Sequence, residues 1–220
     1  MAHPRSFVFI GCVELKEILG RRAQDERELM EALEQIPLGS VYYHTHSVFL
    51  RHPRFSGAYP NDFANWVATQ VRDQPLAERL AVVDPFQFVR LEELRDELVS
   101  IIGQHVAAIH TVPRVLFGSP LSFVQSHLIE VSTGFEARTL DDFRRCVADV
   151  DQSAIYLHAL HSQVMRHVPG GDFARWIGED LGRPALAEAI ARMNPYQGGL
   201  ERMRQETLRL LDGELGREAA

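Results

Sequence analysis

The chain contains itself twice, and that repeat constrains its fold before any single residue does. Asp62-Phe63-Ala64-Asn65-Trp66 returns as Asp172-Phe173-Ala174-Arg175-Trp176. The match runs on through Leu76-Ala77-Glu78 with Leu186-Ala187-Glu188, and Asp84-Pro85-Phe86 with Asn194-Pro195-Tyr196. Upstream, Tyr42, His44 and Arg51-His52 meet Tyr156, His158 and Arg166-His167, and Gly20 and Ala23 meet Gly134 and Ala137. Downstream, Leu91-Glu92 and Arg95 meet Leu200-Glu201 and Arg204. Order is kept throughout and gaps are small, which is the pattern of a tandem duplication. The copies span 6–110 and 120–215, joined by a short stretch from Thr111 to Pro120 that prolines and a glycine interrupt. The Leu116-Phe117 pair in that join predicts that it packs down, so the halves are expected to meet across a pseudo-twofold axis as one globular unit.

Within a copy the periodicity is helical. Phe7-Val8-Phe9-Ile10 and Leu121-Ser122-Phe123-Val124 read as short strands. Asp25-x-x-Glu28 and Thr139-x-x-Asp142 then resemble capping boxes opening helices that carry Leu29, Leu33 and Ile36, or Phe143, Val147 and Val150. Ser40 and Ser153 are placed to cap the next helix, and Asn61 or Asp62 the one bearing Phe63, Trp66, Val67 and Val71. Further helices follow over Leu76 to Val83 and from Leu91 onward, and the polar tail after Asp212 is expected to fray. The predicted fold is all-alpha in character: two helical repeats with at most one short β-strand per repeat.

Composition narrows the function classes. At 45% hydrophobic and 24% charged over 220 residues, the chain has enough apolar content for a core. No apolar run approaches the roughly 18 residues of a membrane span. The N-terminal apolar stretch is short for a secretory signal, and two cysteines, Cys12 and Cys146, suit a reducing cytoplasm. A net charge of -7 argues against bulk binding to nucleic acid or an anionic membrane. Of the 23 basic residues only Lys16 is lysine, an excess that fits codon bias or, where arginines cluster locally as around Arg51, recognition of an anion.

The densest polar and aromatic patch is Tyr42, His44, His46, Arg51, His52, Asn61, Asp62 and Trp66. Read as a pocket, it offers Arg for charge, Asn and Asp for hydroxyls, and Tyr and Trp for an apolar wall, which suits a sugar or phosphorylated metabolite. Read as structure, Asp62 caps a helix and pairs with Arg51, and Trp66 is core. As metal ligands, His44, His46, His52 and Asp62, or His158 and His161, are the available sets. On a helix His44 and His46 point about 200° apart, whereas His158 and His161 share a face, so no one geometry makes both copies chelate alike. No metal is favoured and no cofactor is expected. Copy one carries a long insert from Pro53 to Asn61 where copy two has only Val168 to Gly171, which favours a single working site in the first half.

The stretches Tyr42–His52, Tyr59–Val67 and Leu76–Pro85 resemble an uncharacterised family of bacterial and archaeal proteins, a domain of unknown function with YHTH-x4-LRH, PNDFA-x-WV and LAE-x-LA-x-(I/V)DP stretches. Copy two departs from these with His158-Ala159-Leu160-His161 and Gly171-Asp172. The resemblance implies an association with carbohydrate-active enzymes. The expectation is a cytoplasmic accessory or regulatory protein that binds a small polar ligand, a partner enzyme or a second copy of itself. A metal-assisted hydrolase or lyase using the His44 cluster and a pure scaffold or oligomerisation protein are the alternatives.

Overall fold

The computed structural model describes residues 5–52, 54, 57–112, 114–115, 118–194, 196 and 198–218. It corrects the all-alpha expectation. Two strands, β1 (Phe7–Ala23) and β2 (Leu121–Ala137), are 17 residues each and pair in one antiparallel two-stranded sheet, so the fold is mixed, with 18% strand beside 60% helix. Only the first few residues of each strand alternate between buried and exposed. The remainder is mostly exposed and is held by its backbone ladder, so no burial pattern announces it. Residue type does, since β1 carries Val8, Val13 and Ile18, and β2 carries Ile129, Val131, Thr133 and Phe135. Gly20 and Gly134 sit three residues before each strand ends, at φ of 71° and 76°. A Cβ there would meet nothing within 4 Å, so the left-handed backbone, not crowding, calls for glycine.

Between the strands lie α1 (Glu26–Gln35), α2 (Leu38–Thr45), α3 (Val48–Arg51), α4 (Asp62–Trp66), α5 (Gln74–Ala81) and α6 (Leu91–Ala108). After β2 come α7 (Leu140–Asp149), α8 (Gln152–Ile155), α9 (Ser162–Arg166), α10 (Gly171–Glu179), α11 (Pro184–Ala191) and α12 (Gly199–Glu218). A wider π-type turn continues α4 over Val67–Val71 and links α8 to α9 over Tyr156–His161. The helix starts follow the sequence signals. Asp25 accepts from the Glu28 amide, Thr139 and Asp142 form a full capping box, and Asn61 takes the Ala64 amide. Ser40 and Ser153 do not cap. Ser40 lies inside α2 and donates to the Val124 carbonyl, while Asp151 caps α8. The polar tail stays helical to Glu218 instead of fraying at Asp212.

The chain forms two compact units that do not follow a simple cut between copies. One joins Met1–Val13 and His52–Ser56 to Leu128–Ala220, and the other takes Glu14–Arg51 and Gly57–His127. In the first unit the opening of β1 completes the core of the second copy. Phe9 is fully buried, with ring centroids 5.3 Å from Phe143 and 5.9 Å from Phe173, and Phe7 lies 5.6 Å from Trp176. In the second unit the opening of β2 does the same for the first copy, with Phe123 fully buried 6.5 Å from Phe63. The join is tied down within that unit, since Trp66 donates to the Ser119 carbonyl at 2.9 Å and Gln70 accepts from the Ser119 amide. Leu116 and Phe117 lie outside the described residues.

This exchange predicts that a fragment of residues 120–215 lacks Phe7 and Phe9, which complete its aromatic core in the full chain. It should show no cooperative unfolding transition, whereas the full chain does. In the full chain Phe9→Ala should cost about 3–5 kcal/mol in urea unfolding, as for other fully buried phenylalanines.

Candidate functional site

His44 stands on α2 with its ring facing the start of β2. Its Nε2 accepts the Val124 backbone N–H at 3.2 Å, and its Nδ1 lies 2.9 Å from Asp62 Oδ2. Because Nε2 is the acceptor, Nδ1 carries the proton and donates to the carboxylate. Asp62 Oδ2 also accepts from Arg51 Nη2 at 2.8 Å, and that guanidinium lies over the Tyr43 ring, 4.1 Å from its centroid. Burial pushes the Asp62 carboxyl upward, but the His44 hydrogen bond and the Arg51 charge outweigh it and hold the group below its ordinary value. The same assembly recurs in the other unit. His158 Nε2 accepts the Ile10 N–H at 2.8 Å, Nδ1 lies 3.1 Å from Asp172, and Asp172 pairs with Arg166 and Arg175.

The remaining cluster members divide. Tyr42 stacks on His46 with centroids 4.8 Å apart, and His46 Nδ1 meets Thr45 Oγ1. Asn61 caps α4 and donates to the Leu80 carbonyl. Trp66 is buried. His52 is exposed and belongs to the other compact unit. His161 is partly buried, and that burial lowers its pKa. Of the long insert, Pro53, Phe55 and Ser56 lie outside the described residues. In copy two, Gly170 and Gly171 replace the insert at φ of 74° and 64°. A Cβ on Gly171 would sit 2.3 Å from the His158 carbonyl, so only glycine lets the chain pass there.

A second group was not visible from spacing. Glu26 on α1, Asp73 at the N-cap of α5 and His105 in the last turn of α6 place one ligand atom each within 4.8 Å of one another. His105 Nε2 is 2.9 Å from Asp73 Oδ2 and 3.9 Å from Glu26 Oε2. Glu26 is fully buried and neither of its oxygens has a hydrogen-bond partner. Burial, with the Asp73 charge beside it, pushes its carboxyl up to about 8. The repeat alignment carries a signal for this group, because these positions correspond to Leu140, Arg183 and Glu214. There an Arg183–Glu214 ion pair of 3.0 Å stands instead.

Residues 4–212 match a family of unknown function, DUF5752. The chain belongs to that family. A solved structure described as that of OrfY from Thermoproteus tenax is similar to the DUF5752 chain, with 27% identity, a TM-score of 0.80 and 96% of each chain covered. No curated protein shows a significant match. Among the described residues no helix is long and apolar enough to cross a membrane.

Chemically, the His44 and His158 assemblies are clamps. An Asp-His pair serves as a general base through a free Nε2, and here a strand amide occupies that nitrogen. Asp62→Asn should cost about 2–3 kcal/mol by leaving Arg51 unpaired, with Asp172→Asn similar in the other unit. Both carboxyls are held below their unfolded pKa, so their stabilisation is present above about pH 4 and is lost as pH falls through the folded value. Acid titration of unfolding free energy should therefore fall less steeply in the Asp62→Asn, Asp172→Asn double variant than in wild type.

Proposed function

We propose that this protein is a cytoplasmic accessory or regulatory protein that works by binding a partner protein. The observation that carries this reading is the ribbon stretch within the first compact unit, Phe7–Val13 with Leu128–Ala137. Val8, Val13, Ile129, Val131 and Phe135 are all exposed there, by 36 to 58%. Scattered single apolar residues need no explanation, but five in one short stretch of two strands do. A two-stranded sheet also has outer edges, which natural proteins normally guard with charge; on β1 the Ile10 amide is already taken by His158, so the strand that could accept a partner is Leu128–Ala137. The β1 stretch in the other unit is guarded in that way by Glu14, Lys16, Glu17, Arg21 and Arg22. The stretch in the first unit has fewer such residues, and an extended segment of another protein could add to it as a strand. The net charge of -7 supports a protein partner over nucleic acid.

A small polar ligand is the second reading, favoured by a cleft of about 350 Å³ beside α12, lined by Arg192, Asn194, Arg202, Met203 and Glu206. The hydrolase alternative would require His44 as a ligand or base, and both of its ring nitrogens are engaged.

A photo-crosslinking residue at position 131, expressed in the source cell, should give one discrete adduct that Val13→Lys abolishes. An adduct at twice the chain mass would redirect the reading to a homodimer. No adduct, together with a melting shift from a sugar-phosphate panel, would replace it with the small-ligand reading.

A further inference from the structure

We infer that Glu26, Asp73 and His105 form a binding site for one divalent transition-metal ion. The inference is independent of the partner surface, which lies on the other compact unit. Each donor comes from the end of a different helix, and Asp73 is fixed by its own surroundings. Asp73 Oδ1 accepts the Leu76 amide at 3.0 Å as the cap of α5, which leaves Oδ2 turned toward His105. This is the orienting hydrogen bond that metal-ligating carboxylates ordinarily have. Glu26 reaches the same point from the first turn of α1 and His105 from the last turn of α6.

The separations suit an ion. Donors bound at about 2.0–2.2 Å in a tetrahedral shell lie roughly 3.3 Å apart, and the 2.9 and 3.9 Å contacts of His105 bracket that value. A small adjustment would bring all three onto one centre. One imidazole with two carboxylates matches zinc or manganese better than calcium or magnesium, which favour all-oxygen shells, or Cu(I), which favours thiolates. Three protein ligands leave a fourth position for water or an exchangeable group.

The buried carboxyl of Glu26 is the observation that points to a ligand. Glu26 is fully buried, neither oxygen accepts a hydrogen bond, and Oε2 faces the imidazole. Buried polar atoms without partners are uncommon because each forfeits its hydration for nothing. The fold itself does not demand this arrangement, and the second copy shows as much. At the equivalent positions Leu140 replaces the glutamate, and Arg183 and Glu214 close the gap as an ordinary ion pair. The first copy therefore retains two acids and a histidine where an apolar residue and a salt bridge suffice.

The test uses the full chain without a histidine tag, stripped with a chelator and then titrated with Zn²⁺, and separately with Mn²⁺ and Mg²⁺. Calorimetry should show one equivalent of Zn²⁺ or Mn²⁺ bound and no comparable Mg²⁺ binding. The melting temperature should rise by roughly 5 °C or more at a hundredfold excess over Kd. Glu26→Leu, which installs the residue of the other copy, and His105→Gln should each weaken binding by about 10- to 100-fold or more while keeping the far-ultraviolet circular dichroism of wild type. If either variant fails to fold, anomalous scattering at the zinc edge from crystals of the wild-type chain decides instead, with the ion expected between these three side chains. Absence of stoichiometric uptake, binding unchanged in both folded variants, or an ion located elsewhere would each overturn the proposal.

Discussion

A buried imidazole accepting a strand amide is the contact on which each unit depends. The start of β1 or β2 enters its helical partner with a polar backbone that the helices cannot pair in the manner of another strand. His44 and His158 supply the missing acceptor. To do so the ring must be neutral at Nε2, and the carboxylate of Asp62 or Asp172 fixes that tautomer by taking the Nδ1 proton. A buried carboxylate then needs a cation of its own, which Arg51 provides in one unit and Arg166 with Arg175 in the other. The chain of need runs from amide to imidazole to acid to guanidinium, and each member is present because of the one before it. This is why the same histidine, acid and arginine recur in both copies.

The clamp also accounts for the exchange of segments. Phe9 and Ile10 belong by sequence to the first copy, yet they meet His158, Phe143 and Phe173 of the second. Phe123 and Val124 repay this on the first copy through His44 and Phe63. Because the exchanged residues are equivalent in the repeat, each helical set receives the same kind of strand start it would have received from its own copy. Duplication followed by exchange therefore preserves packing chemistry while making each copy incomplete alone.

The helices were legible because their signals are local. The spacing of Leu29, Leu33 and Ile36 and the caps at Asp25, Thr139 and Asn61 act within a few residues: Leu29 and Leu33 lie in α1, Ile36 is its C-cap, and the other three stand at helix N-caps. The ribbon was not legible at its full length. From Glu14 onward β1 is mostly solvated, so its side chains carry little burial pattern and its backbone pairing is a long-range property. The site reading grouped His44, Arg51 and Asp62, which the structure brings into contact, but had no means to see that a strand amide from about 80 residues away closes the ring nitrogen. Glu26, Asp73 and His105 come from three separate helices, and no motif of short spacing could join them.

What the repeat does offer is a control inside one chain. Positions alike in both copies, such as His44 with His158 and Asp62 with Asp172, make the same hydrogen bonds to a strand amide and to each other in both units. Positions that differ while their backbone stays equivalent show what each unit does differently with the same frame. Asp73 and Arg183 both stand at the N-cap of a helix that begins with the same turn, yet one faces an imidazole and the other a glutamate. An aspartate is favoured at such a cap and an arginine is not, so the second copy has given up a capping hydrogen bond to form its ion pair. The first copy keeps the better cap but leaves Glu26 buried beside it with no hydrogen bond to either oxygen, a cost that the leucine of the second copy avoids. Divergence that exchanges one local penalty for another is not simple optimisation of packing. It sets a unit closed by an ion pair beside one that carries a buried carboxyl, and a bound cation is the partner whose chemistry would offset that group.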